Sequence, residues 1–156
     1  MADSASLHIL VNYYQPLKWA LYFSGVYVQE HGSFDMKIVD QTLIIKCFDS
    51  WNIETVLRLC KEYKELVQTI NDKPWGCLVD MTQWELSTPE MWDEIDKLNQ
   101  WGNSNNQKYE AVICSMSIQK MLMEDSHSVL TNVETNFCEN IDEAYKWLSS
   151  FGVLKI

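Results

Sequence analysis

The chain has 156 residues, of which 47% are hydrophobic and 22% charged, and its formal net charge is −10. That length suits one domain with a real core, and the composition is globular rather than disordered. Acidity of this size argues against sequence-independent nucleic-acid binding and against docking on anionic membranes, because phosphates repel such a chain at long range.

Leu7 to Val28 is apolar, but His8, Asn12, Gln15, Pro16 and Lys18 interrupt it, so no clean 18-residue span is present. Asp3 is the only charge before His8, and a signal peptide would carry a basic start instead. No stable membrane insertion is expected. Three readings stay open for this segment: a strand or short helix packed on the domain, a membrane-proximal flap, or an extension ahead of a domain that starts near Glu30. The first and third are favoured.

Ser33 to Val39 alternates Phe34, Met36 and Ile38 with polar residues, which predicts a half-buried strand. Asp40-Gln41 reads as a tight turn into a second strand over Thr42 to Phe48, making a hairpin. Asn52 is a good N-cap, and Glu54 suits the first turn of a helix running to about Ile70. Pro74 follows its end. Trp75 to Met81 is a continuous apolar run, suited to a central strand covered on both faces. Thr88, Pro89 and Glu90 predict a helix from Thr88 to Trp101, with Met91, Ile95 and Leu98 inward and Gly102 at C′. Tyr109 to Met116 reads as a strand. Ser117 can cap a short helix carrying Ile118, Met121 and Leu122. Val133 to Cys138 reads as an edge strand, and a last helix starts at Asn140 with Glu143 as its capping-box partner. The order is ββαβαβαβα: an α/β fold with a mixed, mostly parallel sheet of four or five strands and helices packed on it.

Five cysteines, at 47, 60, 77, 114 and 138, lack any CxxC spacing, which predicts buried thiols in a reducing compartment and no structural zinc. His8, His31 and His127 lie in unrelated segments, and neither a nucleophile elbow nor a glycine-rich phosphate loop is present. Cys114 or Cys138 beside His127 is the one conceivable nucleophile pair. The expectation is a chain that is not an enzyme and holds no cofactor or metal.

Several local signatures occur in a fixed order: His31-Gly32-Ser33-Phe34, Ser50-Trp51-Asn52-Ile53-Glu54, Pro74-Trp75, Leu78-Val79-Asp80-Met81, and Asp142-Glu143-Ala144-Tyr145-Lys146-Trp147-Leu148. In these the chain resembles the STAS superfamily, the sulfate transporter and anti-sigma-factor antagonist domains, in its bacterial STAS-like branch. The resemblance covers about residues 31–152 as a single domain and leaves 1–30 as an N-terminal extension. It implies a small cytoplasmic regulatory module that works by binding a protein partner. Some members bind nucleotides or lipids, so a small-molecule or lipid carrier is the alternative. In anti-sigma-factor antagonists, a Ser or Thr after the central strand is phosphorylated by a partner kinase.

That last implication falls on Ser87 and Thr88. Here Leu86-Ser87-Thr88-Pro89 lacks the family's Asp before the hydroxyl and small residue after it, and Glu85, Glu90, Asp93 and Glu94 would repel a phosphate. A plain helix cap at Thr88 accounts for the same residues. Asp80, at the end of the central strand, could face a binding crevice with Thr82, Trp84, Ser115 and Ser117, or could simply hold its own turn. The candidate contact residues are Asp80, Thr82, Trp84, Ser87, Thr88 and Trp92. An interaction module predicts an exposed Trp84/Trp92 face, also compatible with a homodimer. A carrier predicts a cavity of roughly a few hundred cubic ångströms lined by residues such as Trp84, Trp92 and Met121.

Overall fold

The computed structural model describes residues 29–156. The expectations for the N-terminal segment therefore lie outside the described residues. From Ser33 on, the order is β1 (Ser33–Val39), β2 (Thr42–Asp49), α1 (Ile53–Val67), β3 (Trp75–Trp84), α2 (Met91–Ser104), β4 (Gln107–Ile113), α3 (Ser117–Ser126), a 3-10 turn (His127–Val129), β5 (Glu134–Cys138) and α4 (Ile141–Ser150). The five strands lie side by side in sequence order; β1 runs antiparallel to β2 and the other pairs are parallel.

Sequential parallel strands joined by crossovers of one hand put their helices on one face. Residues of α1, α2 and α3 accordingly share a core with Leu43, Ile45, Cys77, Met81 and Val112. The opposite face, with Ile44, Leu78, Ala111 and Ile113, is left to Ala144 and Leu148 of α4 and to Val153 and Leu154 beyond it. The tail is tied down as well as packed. Thr42 Oγ1 donates to the Val153 carbonyl at 2.8 Å, and Asp40 accepts from the Lys155 N–H at 2.9 Å. Asp40, at φ 53°, makes the two-residue hairpin turn that the sequence predicts.

Asn52 caps α1 by accepting from the Thr55 N–H, and it also accepts from the His31 N–H at 3.0 Å. Asn140 caps α4 in the same way, accepting from the Glu143 N–H, while the Glu143 carboxylate accepts from the Glu139 N–H, one residue ahead of the cap, and not from the cap residue as the sequence pattern predicts.

Two expected helix boundaries are corrected. The helix expected from Thr88 begins at Met91, with no side-chain cap bond. The Thr88 and Pro89 carbonyls instead accept from Met91 and Trp92 in a separate turn. Gly102 does not end α2 but lies buried inside it, where a Cβ would run into the Gln107 side-chain amide. Glycine is there for close approach rather than for a left-handed turn.

Gln107 is itself fully buried and donates to Glu110 at 2.6 Å. Gly102→Ala is therefore expected to destabilise the domain by about 1–2 kcal/mol through overpacking, measured by urea unfolding. On helix propensity alone, the same change would stabilise it by about 1 kcal/mol.

Candidate functional site

The parallel strands β2, β3 and β4 end on one edge, and the loops leaving them are laced together. Ser50 Oγ donates to Glu85 at 2.9 Å, the Trp51 N–H donates to Ser87 Oγ at 3.3 Å, and the Glu85 N–H donates to the Asp49 carbonyl at 3.1 Å. In open α/β sheets this is the edge where binding sites form.

The geometry of the edge starts from an irregularity in β3. Lys46 pairs with Asp80, but two residues later Phe48 pairs with Gln83, so β3 carries one extra residue. Such bulges are rare between parallel strands, and they re-aim side chains. Met81 and Trp84 are three residues apart yet share the same core. Strict alternation from Met81 would have pointed Trp84 to the other face. Asp80 holds the bulge: its Oδ1 accepts from the Thr82 N–H at 3.0 Å and the Thr82 hydroxyl at 2.7 Å.

This places the six candidate contact residues in three locations. Asp80 and Thr82 are occupied with each other, and by alternation from Leu78 Asp80 lies on the α4 side of the sheet. Trp84 is 2% exposed and stacks edge-to-face with Trp51 and Trp92 at 6.1 and 6.3 Å, so the expected exposed Trp84/Trp92 face is replaced by an internal ladder. Trp92 is half-buried at its outer end. Ser87 is half-buried on the Trp51 N–H, and Thr88 stands exposed three residues ahead of α2.

The helix after β4 supplies what the sequence reading missed. Ile118, Met121 and Leu122 occupy one helical stripe, at i, i+3 and i+4, and periodicity alone would turn that stripe inward. Instead α3 buries Gln119, Met123 and Ser126. Met116, Ile118 and Met121 are 41%, 39% and 56% exposed, and Leu86 in the neighbouring loop is 44% exposed.

The cause is Gln119, which is fully buried. Its Oε1 accepts from the Ser115 and Met116 N–H groups at 2.8 and 3.1 Å. Its Nε2 donates to the Met81 and Trp84 carbonyls at 3.1 and 2.6 Å. One amide thus satisfies two donors at the start of α3 and two carbonyls at the β3 bulge, groups that would be costly to bury unpaired. Ser126 adds a second anchor, donating to Asp96 at 2.7 Å and accepting from Asn99 at 3.0 Å.

A third anchor is buried. His127 Nε2 lies 2.9 Å from Glu110 Oε1, and Gln107 donates to the other Glu110 oxygen. Phe137 lies against the imidazole. A carboxylate inside the apolar run of β4 was the available sequence signal, since a buried charge requires a partner. Burial pulls the His127 pKa down, but the hydrogen bond and charge of Glu110, with Glu124 behind it, outweigh this and hold it above 6.5. The Cys–His pairing considered from the sequence is not formed: Nε2 of His127 meets Glu110 and Nδ1 meets no partner among the described residues. Burial also lifts the Cys114 and Cys138 thiols to about 11, where they stay protonated.

Between α1, α2 and the sheet lies a cavity of about 70 Å³, lined by Trp84, Trp92, Met91, Met123 and Glu110 among others. It is several-fold smaller than the roughly 300–1,000 Å³ of small-molecule sites. Met123, not Met121, faces it. Among the described residues no group of three or more His, Cys, Asp and Glu is placed to hold a metal, and no helix is long and apolar enough to cross a membrane.

The arrangement is that of the SpoIIAA-like, or STAS, fold. Similar solved structures include an uncharacterized protein of the DUF3478 family with a SpoIIAA-like fold from Shewanella loihica PV-4. It is 17% identical over 77% of this chain and 95% of that one, with a TM-score of 0.60. The anti-sigma factor antagonist SpoIIAA in its unphosphorylated form is 6% identical, over 77% and 98% of the two chains, with a TM-score of 0.54. An anti-sigma factor antagonist from Mycobacterium paratuberculosis is 8% identical, over 76% and 95%, with a TM-score of 0.53. No family model and no curated protein matches the sequence.

The His127–Glu110 pair makes stability depend on pH with a definite sign. With its folded pKa raised, His127 stabilises the fold fully below its unfolded value near 6.5. That contribution is lost as pH rises through the folded value. The urea midpoint is expected to fall as pH rises from about 6.5 through the raised folded value, and Glu110→Gln should flatten that slope. An unaltered slope in the variant would assign the dependence to other groups.

Proposed function

We propose that this chain is a non-catalytic regulatory module that binds a protein partner through the outward stripe of α3 and the adjoining Leu86. The observation that carries this reading is the reversed helix. A soluble domain that buries a glutamine and a serine while presenting Met116, Ile118 and Met121 to water has kept an apolar surface for contact. Methionine suits a docking surface because its unbranched side chain adapts to the surface it meets.

The charges around the stripe define the partner's chemistry. Glu85, Glu90, Glu124 and Asp125 are exposed beside it or in the same loop, set against Lys120, which lies 3.9 Å from Glu124, and the chain as a whole carries −10. The complementary partner has an apolar centre and a basic rim. Two of the similar structures are, by name, antagonists of anti-sigma factors and so act on other proteins, which supports the same class of role. The cysteines at all five positions are free, in keeping with a reducing, cytoplasmic setting. The carrier alternative finds less support, since its cargo would have to enlarge the cavity several-fold.

The test is photo-crosslinking in the host from a probe at position 121, with a probe at Lys61 on the wet face of α1 as control. The purified partner is then titrated. Ile118→Asp and Met121→Asp are expected to weaken its binding at least tenfold with the melting temperature unchanged, and Thr88→Ala to leave it unaltered. A partner that binds both aspartate variants as well as the unaltered chain would sink the proposal.

A further inference from the structure

Among the described residues β1 pairs with β2 alone, so its outer side is a sheet edge. The two-residue turn at Asp40-Gln41 makes Val39 and Thr42 a hydrogen-bonded pair. Bonded and non-bonded pairs then alternate along the hairpin. Ser33, Asp35, Lys37 and Val39 direct their main-chain groups to β2, while Phe34, Met36 and Ile38 turn theirs outward. Such an edge accepts a further strand unless its side chains oppose it.

Phe34, Met36 and Ile38 place their side chains on the α1 side, in the core beneath that helix. Asp35 and Lys37 are exposed on the other face, beside Ile44 and Lys46. That face is open here. The helix α4 packs mainly on β3, β4 and β5, and Asp35, Lys37, Ile44 and Lys46 help line a depression of about 350 Å³. Asp35, Lys37 and Lys46 form no ion pair among the described residues.

An Asp and a Lys two residues apart make the strand its own complement. Let two copies of β1 run antiparallel with Met36 opposite Met36. Phe34 then faces Ile38, and Asp35 of each copy faces Lys37 of the other. The outward groups of Phe34, Met36 and Ile38 meet one another in about six hydrogen bonds. The charged pairs fall at non-bonded positions, where side chains approach more closely. Sliding by one residue sets outward groups against residues that face β2. Sliding by two sets Asp35 against Asp35 or Lys37 against Lys37, which is destabilising. One extensive register therefore satisfies both the main chain and the charges. The net charge of −10 opposes self-association at long range. Around β1, however, Glu30, Asp35 and Glu62 are balanced by Lys37, Lys46 and Arg58, whose guanidinium lies over Phe34.

We propose that β1 is a homodimer interface, at which two copies pair antiparallel about Met36 and form one continuous sheet. The interface uses the same strand from both copies, so it closes at two chains. It lies at the opposite end of the sheet from α3 and leaves both apolar stripes free, and it does not depend on the reading of those stripes.

Sedimentation equilibrium of the full chain, up to about 100 µM, tests it. The unaltered chain is expected to be a dimer. Asp35→Lys and Lys37→Asp each put like charges into both facing pairs, and each should raise the dimer dissociation constant about tenfold or more. Mixed in equal amounts, the two variants should regain the dimer as a heterodimer, because every facing pair again holds opposite charges. The double variant Asp35→Lys, Lys37→Asp should dimerise like the unaltered chain for the same reason. A monomeric unaltered chain overturns the proposal. So does a dimer that both single variants keep, or one that neither the mixture nor the double variant restores.

Discussion

The side-chain amide of Gln119 joins two features that would otherwise be unrelated. The ladder between β3 and β4 ends at Asp80 and Ile113, and Gln119 meets the Met81 and Trp84 carbonyls beyond that end as well as the Ser115 and Met116 N–H groups ahead of α3. A glutamine offers two donors and an acceptor oxygen at the end of one side chain, which matches that set. Once Gln119 points inward, helical geometry leaves Met121, about 200° around, no choice but to point out. The buried bulge and the exposed apolar stripe are consequences of one hydrogen-bonding arrangement.

The fold was largely legible because most of its elements obey the two simple periods. The alternation of Phe34, Met36 and Ile38 and the helical spacing of Val56, Tyr63 and Val67 each indicate one element type and one buried face, and the structure agrees, although Leu57, which the same spacing would place inward, is exposed. The order of strands and helices then leaves few topologies open. The start of α2 was misread for a local reason. Thr88-Pro89-Glu90 has the composition of a helix start, but its carbonyls close a separate turn before Met91. Gly102 was misread because close packing against Gln107 and a C-terminal turn require the same residue type.

The site was less legible, and the reason is the same for each residue. A bulge is a relation between two strands, so nothing in Cys77 to Trp84 alone shows that Trp84 will turn inward. Periodicity states that Ile118, Met121 and Leu122 share a face, not which way that face looks. The partner of Glu110 lies 17 residues away in a 3-10 turn, with no motif linking the two. Each is a tertiary fact in which a polar side chain, rather than apolar burial, decides the outcome. The buried glutamine and glutamate were the visible signals, since a polar group inside a core must be satisfied by something.

Attachment by hydrogen bonds also shapes what the edge can do. Three polar anchors, at Gln119, Ser126 and His127, fix α3 and free its apolar stripe for outside contact.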